Sequence, residues 1–126
     1  MPVPTALIAE DEAVLRVELR ARLGHLWPEL HVCAEAQNGL EAVALMERHR
    51  PDVVFLDIEM PGMTGLELIR RLRESGNRTP MIILSGNARY VSKEDLAGLG
   101  NVQFMPKPFE LGGLLERISV GLAMVR

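Results

Sequence analysis

Phe55-Leu56-Asp57-Ile58-Glu59-Met60-Pro61-Gly62 decides how the chain is read, because an apolar run ends on a carboxylate and a turn follows at once. Val53 and Val54 precede it, completing a short β-branched and aromatic segment with no polar face, the pattern of a strand buried on both sides. Pro61-Gly62 breaks that segment. Gly65, Leu68, Ile69 and Leu72 then recur at i, i+3, i+4 and i+7, which predicts a helix. Asp57 is thereby placed at the carboxyl end of a central parallel strand, where open α/β sheets put their chemistry.

The same unit repeats on either side. Thr5 to Ala9 reads as a first buried strand running into Glu10-Asp11, and Leu15, Leu19, Leu23 and Leu26 mark a first helix closed by Pro28. His31 to Ala36 alternates, with Val32, Ala34 and Ala36 on one side and His31, Cys33 and Glu35 on the other, which predicts a strand at or near an edge. Asn38-Gly39 makes a turn, and Gly39, Ala42, Val43 and Met46 form the inner stripe of a second helix ending before Pro51. Met81 to Leu84 is a fourth buried strand, ending at Ser85-Gly86, and Val91 to Leu96 a short fourth helix. Val102 to Met105 gives a fifth strand, whose polar Gln103 suits the opposite edge, and it leads into Pro106-Lys107-Pro108. Leu111, Leu114, Leu115, Ile118 and Leu122 supply the stripe of a last helix. Five strands alternating with five helices imply an α/β fold, a five-stranded parallel sheet with helices on both faces and right-handed crossovers.

Composition narrows the function classes. A length of 126 residues suits one domain spanning 1–126, and 48% hydrophobic with 25% charged residues is ordinary for a globular protein. The net charge of -3 offers no general attraction to nucleic acid or anionic lipid, and the short basic runs Arg48-His49-Arg50 and Arg70-Arg71 read as solvated helix surface. A single cysteine, Cys33, forms no intrachain disulfide and reads as a small buried hydrophobe. No apolar run approaches the roughly 20 residues of a membrane span, and the N-terminus has no signal-peptide pattern, so a cytoplasmic protein is expected.

Glu10-Asp11, Asp57, Ser85 and Lys107 each follow a different strand at its carboxyl end, and in a parallel sheet those ends share one edge. A lone Asp in such a place ordinarily caps a helix or forms a turn, and Glu10-Asp11 alone would suit a helix start. Together they pose an electrostatic problem: two carboxylates 4 Å apart repel by about 4 kcal/mol at an effective dielectric near 20. A hard divalent ion such as Mg2+ relieves it, since it takes oxygen ligands and usually binds one or two carboxylates while keeping several waters. An anionic phosphoryl group then has a route to Asp57. The carboxylate is placed to attack phosphorus, with Lys107 offsetting charge on the transferring oxygens and the Ser85 hydroxyl donating a hydrogen bond. No glycine-rich nucleotide fingerprint follows any strand, and His25, His31 and His49 lack metal-ligand spacing.

With these residues in place, the chain resembles, over essentially its whole length, the receiver domain of two-component response regulators. The resemblance rests on Ile8-Ala9-Glu10-Asp11-Glu12, Asn38 to Ala42, Phe55 to Gly65, Ser85-Gly86 and Lys107-Pro108-Phe109. It implies a flavodoxin-like sheet of order 2-1-3-4-5. It further implies that Asp57 accepts a phosphoryl group from a histidine kinase or phosphotransfer protein, or from a small phosphodonor. Mg2+ would then be ligated by Asp11 and Asp57 directly, by Glu10 mainly through water, and by the backbone carbonyl of Glu59. Ser85 and Phe104 correspond to the family's switch positions, and Lys107 to its lysine, with a cis Lys107–Pro108 bond. The resemblance also implies that Glu59 and Asn87, two residues beyond Asp57 and Ser85, line the path of attacking water, and they are expected to set the lifetime of the phosphoryl group.

The resemblance also sets expectations about output. The surface of the fourth helix, fifth strand and fifth helix would carry the signal, to a downstream protein, a fused output domain or a phosphorylation-dependent homodimer. Arg89, Lys93, Asp95, Gln103 and Arg117 do not reproduce the charge pattern of the winged-helix regulators, whereas the wording from Leu56 to Pro61 is similar to regulators of the LytTR type. No enzyme activity beyond the domain's own phosphorylation and dephosphorylation is expected, and no direct binding to nucleic acid or membrane. Two rival readings stay open at this point: a small aspartyl-phosphate hydrolase, and a receiver-fold docking module independent of phosphorylation. The first lacks an inserted cap and has Glu59 where an acid-base Asp belongs.

Overall fold

A computed structural model describes residues 3–57, 65–85 and 102–106. Chain order is β1 (Thr5–Ala9), α1 (Ala13–Leu26), β2 (His31–Ala36), α2 (Gly39–His49), β3 (Val53–Asp57), α3 (Gly65–Glu74), β4 (Met81–Ser85) and β5 (Val102–Pro106). All pairings are parallel and the order across the sheet is β2-β1-β3-β4-β5, as expected. The expected helices at Val91–Leu96 and from Leu111 to Leu122 lie outside the described residues.

Alternation along the strands divides the core into two layers. Leu7, Ala9, Val54, Leu56, Met81 and Ile83 face α2 and α3, where they meet Ala42, Met46, Leu68, Ile69 and Leu72. Ala6, Ile8, Val53, Phe55, Ile82 and Leu84 face the other way, against Leu19, Leu23 and Leu30. Val53 to Leu56 is buried throughout, which is why its sequence shows no polar face. Among the described residues the helical stripes follow their spacing, with Leu15 and Leu26 at the ends of α1 and Val43 in α2 only half-buried.

One expectation is corrected. Val32 does not share a face with Ala34 and Ala36: Val32 packs in the α1 layer, whereas Ala34 and Ala36 belong to the layer of α2 and α3. The cause is a register shift, with Ala6 opposite Val32 and Leu7 opposite Ala34, so that Cys33 is the extra residue of a β-bulge. Its thiol donates to the Ala6 carbonyl at 3.3 Å. A period-2 reading runs straight through such an insertion and assigns one end of the strand to the wrong face.

Local contacts fix the ends of the elements. The Asn38 side chain accepts from the Glu41 amide at 2.8 Å and caps α2, whose last turn closes at Arg50 in the left-handed conformation, φ 47°, ahead of Pro51. Thr5 and Asp52 bind each other reciprocally at the amino ends of β1 and β3: the Thr5 amide donates to Asp52 Oδ2 at 2.8 Å and the Asp52 amide to the Thr5 carbonyl at 2.9 Å. From the last turn of α3, the buried Arg73 donates to the carbonyls of Asn77 and Thr79, at 3.0 and 2.9 Å, and shapes the entry to β4. Arg48, Arg50, Arg70, Arg71 and all three histidines are exposed, as their sequence context predicts.

Candidate phosphoacceptor site

Register alone brings the acidic residues together. Ala9 lies opposite Leu56, so the next residue of each strand, Glu10 and Asp57, emerge side by side at the carboxyl edge of the sheet. Asp57 is opposite Leu84, which puts Ser85 one step further along the neighbouring strand, and Ser85 is opposite Pro106. Lys107 follows Pro106 directly in sequence. Strand order therefore explains the convergence that sequence separation hides.

One carboxylate oxygen from each of Glu10, Asp11 and Asp57 lies within 4.8 Å of the others. Their burial is graded: Glu10 is buried, Asp57 half-buried and Asp11 exposed, so the cluster opens to solvent on one side. Three oxygen donors of this kind suit a hard divalent cation. Metal–oxygen bonds of about 2.1 Å put octahedral ligand oxygens about 3.0 to 4.2 Å apart, a range that falls inside the 4.8 Å bounding the three oxygens here.

Ser85 and Phe104 are placed by the backbone, at the end of β4 and in β5 opposite Ile83. Glu59, Asn87, Lys107 and Pro108 lie outside the described residues. Sequence reasoning missed Arg16. Its guanidinium donates through Nη1 to the carbonyl of Glu10 at 2.7 Å and, at 3.4 Å, to that of Asp11, and its Nε is 3.8 Å from Glu35 Oε1. The available signal was faint: a single cation in the first turn of the helix that follows three acidic residues, Glu10, Asp11 and Glu12.

Comparison with known proteins agrees with this geometry. Residues 6–119 match the family described as response regulator receiver domain. An uncharacterized response regulatory protein of Vibrio cholerae is 47% identical over 79 residues, 63% of this chain and 30% of that protein. Response regulator MprA of a Mycobacterium species is 39% identical over 120 residues, 94% of this chain and 50% of that protein. The chain thus spans half or less of the length of these relatives. Among solved structures, the receiver domain of a sensor histidine kinase from Pseudomonas aeruginosa, with a magnesium ion coordinated in its active site cleft, superposes with TM-score 0.80 at 27% identity, covering 97% of this chain and 99% of that one. Sequence match, strand order and the gathered carboxylates agree, and the chain belongs to the response regulator receiver domain family, the phosphoacceptors of two-component signalling.

Proposed function

We propose that residues 1–126 act as one receiver domain in which Asp57 is the phosphoacceptor. The observation that carries this reading is the gathering of Glu10, Asp11 and Asp57 within 4.8 Å at the carboxyl edge of the sheet. Asp57 is half-buried at the end of the central strand, accessible to a donor yet held by a packed layer on each side. Its carboxylate oxygen attacks phosphorus as the bond to the donor breaks. With a phosphohistidine donor, a P–N bond is exchanged for an acyl phosphate P–O bond, and the departing imidazole nitrogen keeps the electron pair.

Mg2+ held by Asp11 and Asp57, with Glu10 acting mainly through water and Glu59 through its carbonyl, supplies charge neutralisation when bound. Lys107 contributes a second positive charge at the transferring oxygens, and the Ser85 hydroxyl hydrogen-bonds the acyl phosphate once formed. Phosphorylation then biases two conformers of the surface that includes β5 and Phe104. The donor is a sensor histidine kinase or phosphotransfer protein, and the recipient a downstream protein, a fused output domain or a second copy. Beyond its own phosphorylation and dephosphorylation, the domain catalyses nothing.

Intact mass after incubation with acetyl phosphate tests the reading. One phosphoryl adduct is expected with Mg2+, none with EDTA and none in Asp57→Asn; an equal adduct in the variant overturns it. Glu59 and Asn87 set the lifetime of that adduct. Exchanging both residues should change the dephosphorylation rate, and an unchanged rate removes that role from them.

A further inference from the structure

The acidic loop is short, and its main chain is bonded to both β2 and α1. Residues 10–12 join β1 to α1, and Glu12, at the N-cap position, makes no side-chain capping hydrogen bond. Main-chain bonds at Glu10 help to hold the loop. The Glu10 amide donates to the Ala36 carbonyl at 3.0 Å, extending the pairing of β1 with β2, and the Glu10 carbonyl accepts from Arg16. Arg16 is in turn tied to β2, since Glu35 Oε1 faces its Nε while Arg20 Nη1 donates to Glu35 Oε2 at 2.6 Å. The Arg16 side chain is only 14% exposed, so it occupies this place rather than sampling solvent.

We infer that Arg16, anchored by Glu35, is a positioning residue that fixes the Glu10–Asp11 peptide and thereby the divalent-cation affinity of the acidic cluster. This rests on the reading of the cluster given above. The chemistry favours arginine, because its planar fork reaches two carbonyls and a carboxylate from one rigid group. The recorded partners of Arg16 among the cluster residues are main-chain carbonyls, not carboxylates. Its effect on a bound cation has two opposed parts. Charge alone would weaken cation binding by repulsion, whereas holding the loop would strengthen it by keeping three donors gathered. The position of the guanidinium on the carbonyls makes holding the larger part.

That opposition gives the test its sign. Mg2+ alone is titrated into wild type, Arg16→Ala, Arg16→Lys and Glu35→Ala by calorimetry, with the fold checked by circular dichroism. Arg16→Ala should weaken Mg2+ about tenfold, the scale found for residues that orient metal ligands. Arg16→Lys should recover part of the loss, and Glu35→Ala should fall between them and wild type. An Asp52→Ala control, which alters the amino ends of the strands, should leave the affinity unchanged. Affinity in Arg16→Ala that equals or exceeds wild type overturns the inference, because charge repulsion alone predicts tightening. If Arg16→Ala does not fold, a folded Glu35→Ala with wild-type affinity overturns it equally. Absence of Mg2+ binding in the wild type is a different result: it overturns the reading of the cluster itself and this inference with it.

Discussion

Cys33 is a partly buried thiol and the inserted residue of the bulge in β2. Burial pushes its pKa up, and the nearby negative charge of Asp52 adds to that, while a backbone hydrogen bond opposes them. The sign follows: the folded chain holds the thiol proton more tightly than the unfolded chain does. Its contribution to stability is full below the unfolded pKa and is lost as pH rises through the higher folded one. Alkylation by iodoacetamide should therefore be slower in the native protein than in urea, with its pH–rate midpoint displaced upward. A native midpoint at or below that of the unfolded chain contradicts the account. Arg16 is harder to read, since a single cation in the first turn of a helix gives only a faint sign that it bonds two carbonyls and is not merely solvated.

Helices and strands were legible to the degree that their burial is simple. In α3, Leu68, Ile69 and Leu72 of the expected stripe are all buried, because they meet one layer of the sheet. β3 and β4 are sealed on both sides and announce themselves as unbroken apolar runs. β2 was misread in part because an edge strand has one free side on which an inserted residue can be accommodated. The start of α2 is a stronger signal, since Asn38, two residues past the end of β2, caps the helix with its own side chain. Asn38→Ala should lower stability by about 1 kcal/mol in urea unfolding, the ordinary worth of such a cap. A loss below the error of that measurement would mean that the Glu41 amide finds another acceptor.

At the scale of the whole molecule, the site is a product of topology. Glu10 and Asp57 are distant in sequence but become neighbours because β1 and β3 pair in parallel with Ala9 opposite Leu56. The sequence shows which residues end strands, and the alternation of strands with helices shows that those ends share an edge. It does not show how the loop between β1 and α1 is held, because that depends on a side chain reaching back to main-chain carbonyls. Two packed layers hold the strands that end at this edge, and there three carboxylates stand close enough that a cation is the natural counterweight. No helix among the described residues is long and apolar enough to cross a membrane. The measurement that tests the central claim most directly is peptide mapping after borohydride reduction of protein incubated with acetyl phosphate and Mg2+. An acyl phosphate on an aspartate is reduced to the alcohol, so the account predicts homoserine at Asp57, and none there when EDTA is present. Reduction at another carboxylate, or at Asp57 to the same extent with EDTA, would contradict it.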